Sequence, residues 1–335
     1  MLAKVFKHTH KYLHYQSAAM FSNISIKLIK ELRELTGSSI DECRKALEAQ
    51  NSDIQKAAEH LKKRGLAQAE KRVGRKTQEG LIGVKLNRDE RVALVAEVYC
   101  ETDFVAKTDM FVQFIDNVLQ GVANETNFGE ASLTEEAEID KVLEKTSFQG
   151  LKVAEQEAKN LFEAKQLSIS KLQENIRVGA LHKFQKDEPT RNVIGVYVHN
   201  STVLNYIGFA VSLVDLHFEN PVTEENKQKA QEIANNLAMQ ILASKPTYIS
   251  REDIPADIMK AERDKVFGEL DDNLKQKPEK VLNTIIEGKL KKFYDENVLY
   301  DQIFVMDPEE TLTVQQYIDS AAQGLGKVKI AKHFI

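Results

Sequence analysis

An acid beside a large aromatic, Asp103–Phe104, stands inside the stretch YCETDFVAKTDMFVQF, residues 99–114. Such a pair can do chemistry without making a bond. The ring can point outward, together with the acid, at something other than the chain's own core. The plainer alternative is packing, with Phe104 folded back into the chain's own core. The two readings differ in where the backbone must aim the ring.

Few other residues have types and spacings that suggest chemistry. The sequence holds no G-x-S-x-G, H-E-x-x-H, G-x-G-x-x-G or Walker pattern. GRKT, residues 74–77, invites a phosphate-loop reading, but Arg75 stands where the loop needs Gly and the first Gly of the pattern is missing. His8, His10 and His14 cluster in a basic N-terminal stretch, whereas His60, His182, His199, His217 and His333 are scattered. A lone strand histidine such as His199 reads as an ordinary half-buried residue, since no base–nucleophile spacing surrounds it. Cys43 and Cys100 lie far apart with no C-x-x-C, which suggests neither zinc nor a disulfide framework but two buried thiols in a reducing compartment. The acidic runs LTEEAEID and FGELDDN fall on helical patterns and read as solvated faces. No catalytic group, metal site or cofactor is expected, which favours a binding protein over an enzyme.

The elements that must position the Asp103–Phe104 corner follow from periodicity. Residues 24–65 read as three short helices. The first carries Leu28, Leu32 and Leu35 and stops at Gly37; the second opens with a capping box, Ser39 to Glu42; the third opens with another, Ser52 to Gln55, and ends at Gly65. Residues 66–79 are basic and poorly periodic, a helical or extended linker. GLIGVKL, NRDE and RVALVAEVYC then read as strand, turn and strand, with Val92, Leu94, Ala96 and Val98 on one face. A helix follows with Phe111, Ile115, Val118 and Val122 in register, opening at Asp109 as N-cap. The corner between Cys100 and Asp109 is therefore expected to be a short exposed turn. Residues 124–172 are mostly helical in pattern, with NETNFGEASLTEE as a loop. Strands are expected over 178–185, 193–200 and 206–214, a helix over 223–244 ending before Pro246, a helical hairpin over 254–293 bending at KQKP, a helix near 312–322 and a final strand KVKIAKHFI. Strands and helices do not alternate regularly, so the class is α+β.

Length allows two or three domains, and no apolar run approaches the roughly 20 residues that a membrane span needs. Residues 1–30 hold five Lys and no acid; taking that +5 from the total of −5 leaves −10 on residues 31–335. An acidic body argues against broad nucleic-acid binding. Lys4, Lys7 and Lys11 share one helical face opposite Leu2, Val5, Phe6 and Leu13, and YQSAAMFSN supplies small residues for processing. This reads as a mitochondrial presequence, against the alternative of an ordinary basic tail.

Two stretches carry a resemblance to a known family. IKELRELTGSSIDECRKALEAQNSDIQKAAEHLKKRG, residues 29–65, resembles the ubiquitin-associated-like module of the elongation factor Ts family, and CETDFVAKTDMF, residues 100–111, resembles that family's second signature. Weaker matches follow in family order: ASKPTYI (243–249), IIEGKLKKF (285–293) and FVMDPEETLTV (304–314). The resemblance implies a three-helix module followed by a two-subdomain α+β core with an inserted antiparallel helical hairpin. The expected division is 1–23 presequence, 24–65 module, 66–79 linker, 80–176 and 177–253 core subdomains, 254–293 hairpin, and 294–335 return to the core. It also implies a function: binding elongation factor Tu in its GDP form, as a heterodimer in the mitochondrial matrix, and promoting GDP release without an active site, cofactor, membrane or nucleic acid of its own. Within that reading Thr102, Asp103, Phe104 and Val105 form the nucleotide-release wedge, and Ile40, His199, Val305 and Met306 are further candidate partner contacts. The family often has two Met at the start of the module's second helix; here stand Ile40 and Asp41, and Asp41 cannot replace an apolar contact. Bacterial relatives often continue into a C-terminal helical module, whereas this sequence ends at Ile335, so the N-terminal module and core are expected to supply most of the interface. Two competing readings are a ubiquitin-binding adaptor, which leaves most of the chain unexplained, and an enzyme using Cys100 or His199, for which no constellation exists.

Overall fold

The computed structural model describes residues 24–123 and 132–335; the expected presequence and most of the NETNFGEASLTEE loop lie outside the described residues. In chain order the elements are α1 (Ile26–Thr36), α2 (Ile40–Ala49), α3 (Ile54–Glu70), β1 (Glu79–Leu86), β2 (Val92–Cys100), α4 (Asp103–Ala106) and α5 (Asp109–Ala123). There follow β3 (Ser132–Leu133), α6 (Glu136–Lys145), β4 (Lys152–Val153), β5 (Gln156–Glu157), α7 (Leu161–Leu172), β6 (Arg177–Gln185), β7 (Asn192–His199), β8 (Ile207–Gly208) and β9 (Ala210–Phe218). The last are α8 (Lys227–Ser244), α9 (Ala256–Gly268), α10 (Asp272–Lys275), α11 (Glu279–Asn297), α12 (Val314–Ala321) and β10 (Val328–Phe334). The class is α+β. The chain divides into two compact units, one of residues up to Gln78 with 100–114 and 143–176, the other of 79–99, 115–142 and 177–335.

In the first unit α1, α2 and α3 close on Leu32, Cys43, Ala46, Leu47, Ala57 and Leu61. Gly37 ends α1 in the left-handed region at φ 62°, where a side chain would be strained. Ser39 and Glu42 form the expected capping box, Glu42 N–H donating to Ser39 Oγ at 3.3 Å and Ser39 N–H to the Glu42 carboxylate at 3.2 Å. Two expectations fail here. The cap of α3 is Asp53, whose carboxylate accepts from Lys56 N–H at 3.0 Å, while Ser52 takes the turn at φ 63°. Nor does Gly65 end α3, which runs on to Glu70. A Cβ at Gly65 would collide with the Ser170 hydroxyl, so this glycine permits close packing of α3 on α7 rather than terminating a helix. Lys62 ties the same two elements, 3.1 Å from Glu163.

In the second unit β3-β6-β2-β1-β8 form one sheet and β10-β9-β7 another. Asn87 closes the β1–β2 turn, its side-chain oxygen accepting from Arg91 and Val92 N–H at 2.9 and 3.1 Å. Strand β2 was expected to bury one face, but Ala93 and Val95 are as buried as Leu94, Ala96 and Val98. The reason is a second layer: Ala93, Val95, Val84 and Phe184 of the larger sheet share a core with Ile194, Val211 and Leu213 of the smaller one. The other face of the smaller sheet packs Val193, Val214 and Leu216 against Ile233, Leu237 and Ile241 of α8 and Ile318 of α12. Gln231 and Asn235 of α8 satisfy the outer edge of β7, bonding Ile194 C=O at 2.9 Å and Val196 N–H at 3.0 Å, which blunts that edge toward other strands. The hairpin α9/α11 has its own core of Ile254, Val266, Leu270, Ile286, Leu290 and Tyr294, and its bend is longer than KQKP because α10 fills it.

Candidate partner-binding site

The corner at Asp103–Phe104 is a single helical turn set between a strand and a helix. Thr102, in extended backbone, caps α4: its carbonyl accepts from Ala106 N–H at 3.2 Å and its hydroxyl from Val105 N–H at 3.4 Å. Lys107 and Thr108 then break the helix. The Thr108 hydroxyl donates to Val105 C=O at 2.8 Å and accepts from Phe111 N–H at 3.3 Å, so Thr108, not Asp109, caps α5. The expected exposed turn is thus half inward. Val105 and Ala106 are buried, whereas Phe104 leaves 79% of its surface to solvent. Helical geometry forces this split, since adjacent residues project about 100° apart. Burying a Phe side chain is worth about 1.5–3 kcal/mol; Phe104 forgoes most of that in the free chain.

The strand-to-turn junction is fastened by a reciprocal pair of carboxylates. Glu174, just past α7, accepts from Glu101 N–H at 3.1 Å and Thr102 N–H at 3.0 Å with one oxygen and from the Thr102 hydroxyl at 2.6 Å with the other. Glu101 answers by accepting from Asn175 N–H at 2.6 Å and lies 3.5 Å from the Arg75 guanidinium. Asn175 closes the circuit by donating to Arg75 C=O at 2.9 Å. Thr102 therefore serves as cap and fastening together, its hydroxyl donating to Glu174 and accepting from Val105.

Asp103 is half-exposed and lies 2.6 Å from Lys107, one turn on. The Lys107 hydrogen bond holds its carboxyl below the usual carboxylate range, so Asp103 is an anion at neutral pH. The pair is open to water and contributes little to stability. Lys107 engages only one of the two Asp103 oxygens, and the larger apolar surface at the corner is the exposed Phe104 ring.

The other candidates stand elsewhere. Ile40 opens α2 in the first unit and is 58% exposed, next to Asp41, which is engaged by Arg44 and Lys45. His199 ends β7 in the second unit; it is exposed rather than half-buried, its Nδ1 3.3 Å from the Tyr197 hydroxyl. Val305 and Met306 are half-exposed on a loop that Asp307 ties down by accepting from Leu312 and Thr311 N–H at 2.7 and 2.8 Å. Sequence reasoning missed two exposed apolar residues in the β7–β9 connection with His199, Val203 and Phe209. Phe209 was absorbed into a strand reading; the break between β8 and β9, where Phe209 N–H bonds His199 C=O at 3.0 Å, turns it outward. It also missed Glu174, which nothing local to residue 103 could have signalled.

A family model described as "Elongation factor TS" matches residues 101–334. The chain is similar to "Elongation factor Ts, mitochondrial 2" of Paramecium tetraurelia, 35% identical over 93% of this chain and 95% of that protein. It is also similar to "Elongation factor Ts" of Clostridium kluyveri, 32% identical over 93% of this chain and 91% of that protein. A third relative, "Elongation factor Ts" of Protochlamydia amoebophila, is 32% identical over 92% of this chain and 95% of its own length.

Proposed function

The chain belongs to the elongation factor Ts family, and from that premise we propose that it is a guanine-nucleotide exchange factor for elongation factor Tu, forming a heterodimer with the GDP-bound partner and promoting GDP release. The observation that carries this reading is Phe104, a large aromatic 79% exposed on a turn whose base is fastened and whose neighbour is an anion. The physics is one of coupled loss. GDP is held on a GTPase by a magnesium ion at its phosphate and by backbone donors around the phosphates. A ring driven between the elements that carry those groups shifts several contacts together, and each 1.4 kcal/mol lost is about tenfold in affinity. The coupling is reciprocal, so GDP weakens the factor's grip by the same ratio. The factor itself makes and breaks no covalent bond. The test is release of labelled GDP from an organellar elongation factor Tu: acceleration supports the proposal, and release at the spontaneous rate counts against it.

The N-terminal module is the second contact in this reading. Ile40 offers one apolar side chain beside a charged Asp41, so the contact is small. Ile40→Glu should weaken complex formation about fivefold to thirtyfold, the loss of a modest apolar anchor, while helix content and melting stay as in the parent. Circular dichroism beside a binding titration checks it; a loss of helix in step with the loss of binding would make Ile40 a packing residue.

The one-sided basic stretch of residues 1–23, with the mitochondrial relative, supports placement in the mitochondrial matrix. N-terminal sequencing of the protein from purified mitochondria should then find that stretch removed, whereas an intact Met1 would argue against import by this route.

A further inference from the structure

Helix α4 is too short to hold its own shape. An isolated turn is unstable in water because nucleation fixes several dihedrals for one bond, and here the capping bond from Val105 N–H is long at 3.4 Å. Two things fix the turn instead. Val105 and Ala106 are buried on its inner side, and Glu174 grips the backbone immediately before it. The Glu174 carboxylate takes the amides of two successive residues and the hydroxyl of the capping residue, so it sets both the direction in which the strand leaves and the rotamer of the cap. Phe104 lies two residues beyond the last bond. Both Glu174 oxygens are engaged at the base of the turn.

We propose that Glu174 is a positioning residue for the exchange reaction, a clamp that holds Phe104 aimed outward before the partner arrives. The inference rests on the exchange reading above. A wedge that is already ordered loses less freedom on docking than one that must be ordered there, and a misaimed ring transmits less displacement.

Glu174→Ala should lower the saturated rate of stimulated GDP release about tenfold, equivalent to 1.4 kcal/mol, with a smaller change in the half-saturating concentration. Glu174→Gln keeps the length and one acceptor oxygen and should recover part of the loss; it also serves where the Ala variant folds poorly. The decisive readout is a double-mutant cycle with Phe104→Ala. Because Glu174 acts through the ring, its removal from the Phe104→Ala chain should change the rate less than twofold. A full tenfold loss in both backgrounds, or Glu174 variants as fast as the parent, would overturn the clamp. Amide hydrogen exchange on the free parent chain adds an arm independent of the partner: Glu101 and Thr102 should be protected, and rapid exchange at both would remove the clamp whatever the rates show. If the parent chain itself fails to accelerate GDP release, the exchange reading falls, and with it any wedge to position. A parent and Phe104→Ala that behave as expected beside unaffected Glu174 variants sink the clamp alone.

Discussion

Truncating Phe104 to Ala is expected to cut the saturated rate of stimulated GDP release by roughly 30-fold or more, the effect of losing a central aromatic anchor worth about 2 kcal/mol. The free chain should scarcely notice. Substitutions of exposed residues usually change stability by no more than about 0.5 kcal/mol, and with 79% of Phe104 in solvent little packing is lost. A buried Phe truncated to Ala would instead cost about 3–5 kcal/mol. The two measurements, melting temperature and saturated rate, thus move in opposite ways under the wedge and core readings. A large drop in melting with an unchanged saturated rate would end the wedge idea, and weakened binding with a normal saturated rate would reduce the ring to an anchor. Asp103→Ala should act in the same direction by only a few-fold, because Lys107 already occupies the carboxylate at 2.6 Å and the partner gains only the difference.

The largest effect on stability is expected at Gly195. A Cβ built there would run into the carbonyl carbon and oxygen of Ala234 and stand 2.8 Å from Val214 Cγ1. The obstacle is helix backbone, which cannot swing aside as a flexible side chain does. Gly195→Ala must therefore lift α8 from β7, and with it Ile233, Leu237 and Ile241, all buried in the core beneath. Overpacking on this scale costs about 3 kcal/mol, which lowers the melting temperature of a unit this size by about 6–12 °C. Gly288 supplies the control. It lies in α11, where an added Cβ would meet nothing within 4 Å beyond its chain neighbours and the helix's own backbone, so Gly288→Ala should stabilise the hairpin by up to about 1 kcal/mol through helix propensity. Thermal denaturation of both variants checks the pair. Melting of Gly195→Ala at the parent's temperature would mean that α8 can retreat without loss.

What could be read from the sequence was what is decided within a few residues. The Ser39–Glu42 box, the Gly37 stop and the register of Phe111, Ile115, Val118 and Val122 are local, and each stands where its spacing put it. The failures share a cause in distant packing. Gly65 looked like a stop because its neighbour Ser170 is a hundred residues away in the chain, and β2 looked one-sided because the layer covering Ala93 and Val95 comes from β7 and β9. Ser52 and Asp109 were one residue from the true caps, since Ser, Thr and Asp side chains compete for the same N–H groups and the backbone decides among neighbours. At the candidate site the acid and the aromatic were visible at once. Whether Phe104 faced inward was not, because adjacent positions on one turn differ by a rotation that only the burial of Val105 fixes.

The fastening of the Asp103–Phe104 turn also has a bearing on the order in which the chain is made. The bonds that hold Glu101 and Thr102 reach forward 72 to 74 positions, to Glu174 and Asn175. Synthesis runs from the N-terminus, so Phe104 leaves the ribosome well before the carboxylate that bonds the two residues at the base of its turn. During that interval the strand-to-turn junction has no counterpart to bond, and closing the long loop between them comes late because its entropy must be met first. An unfinished chain, or one cleaved between residues 106 and 174 and separated from its second half, carries the aromatic without the bonds at the base of its turn. The base of the turn that carries Phe104 is therefore completed only when more than half of the polypeptide has been made and folded back on its beginning.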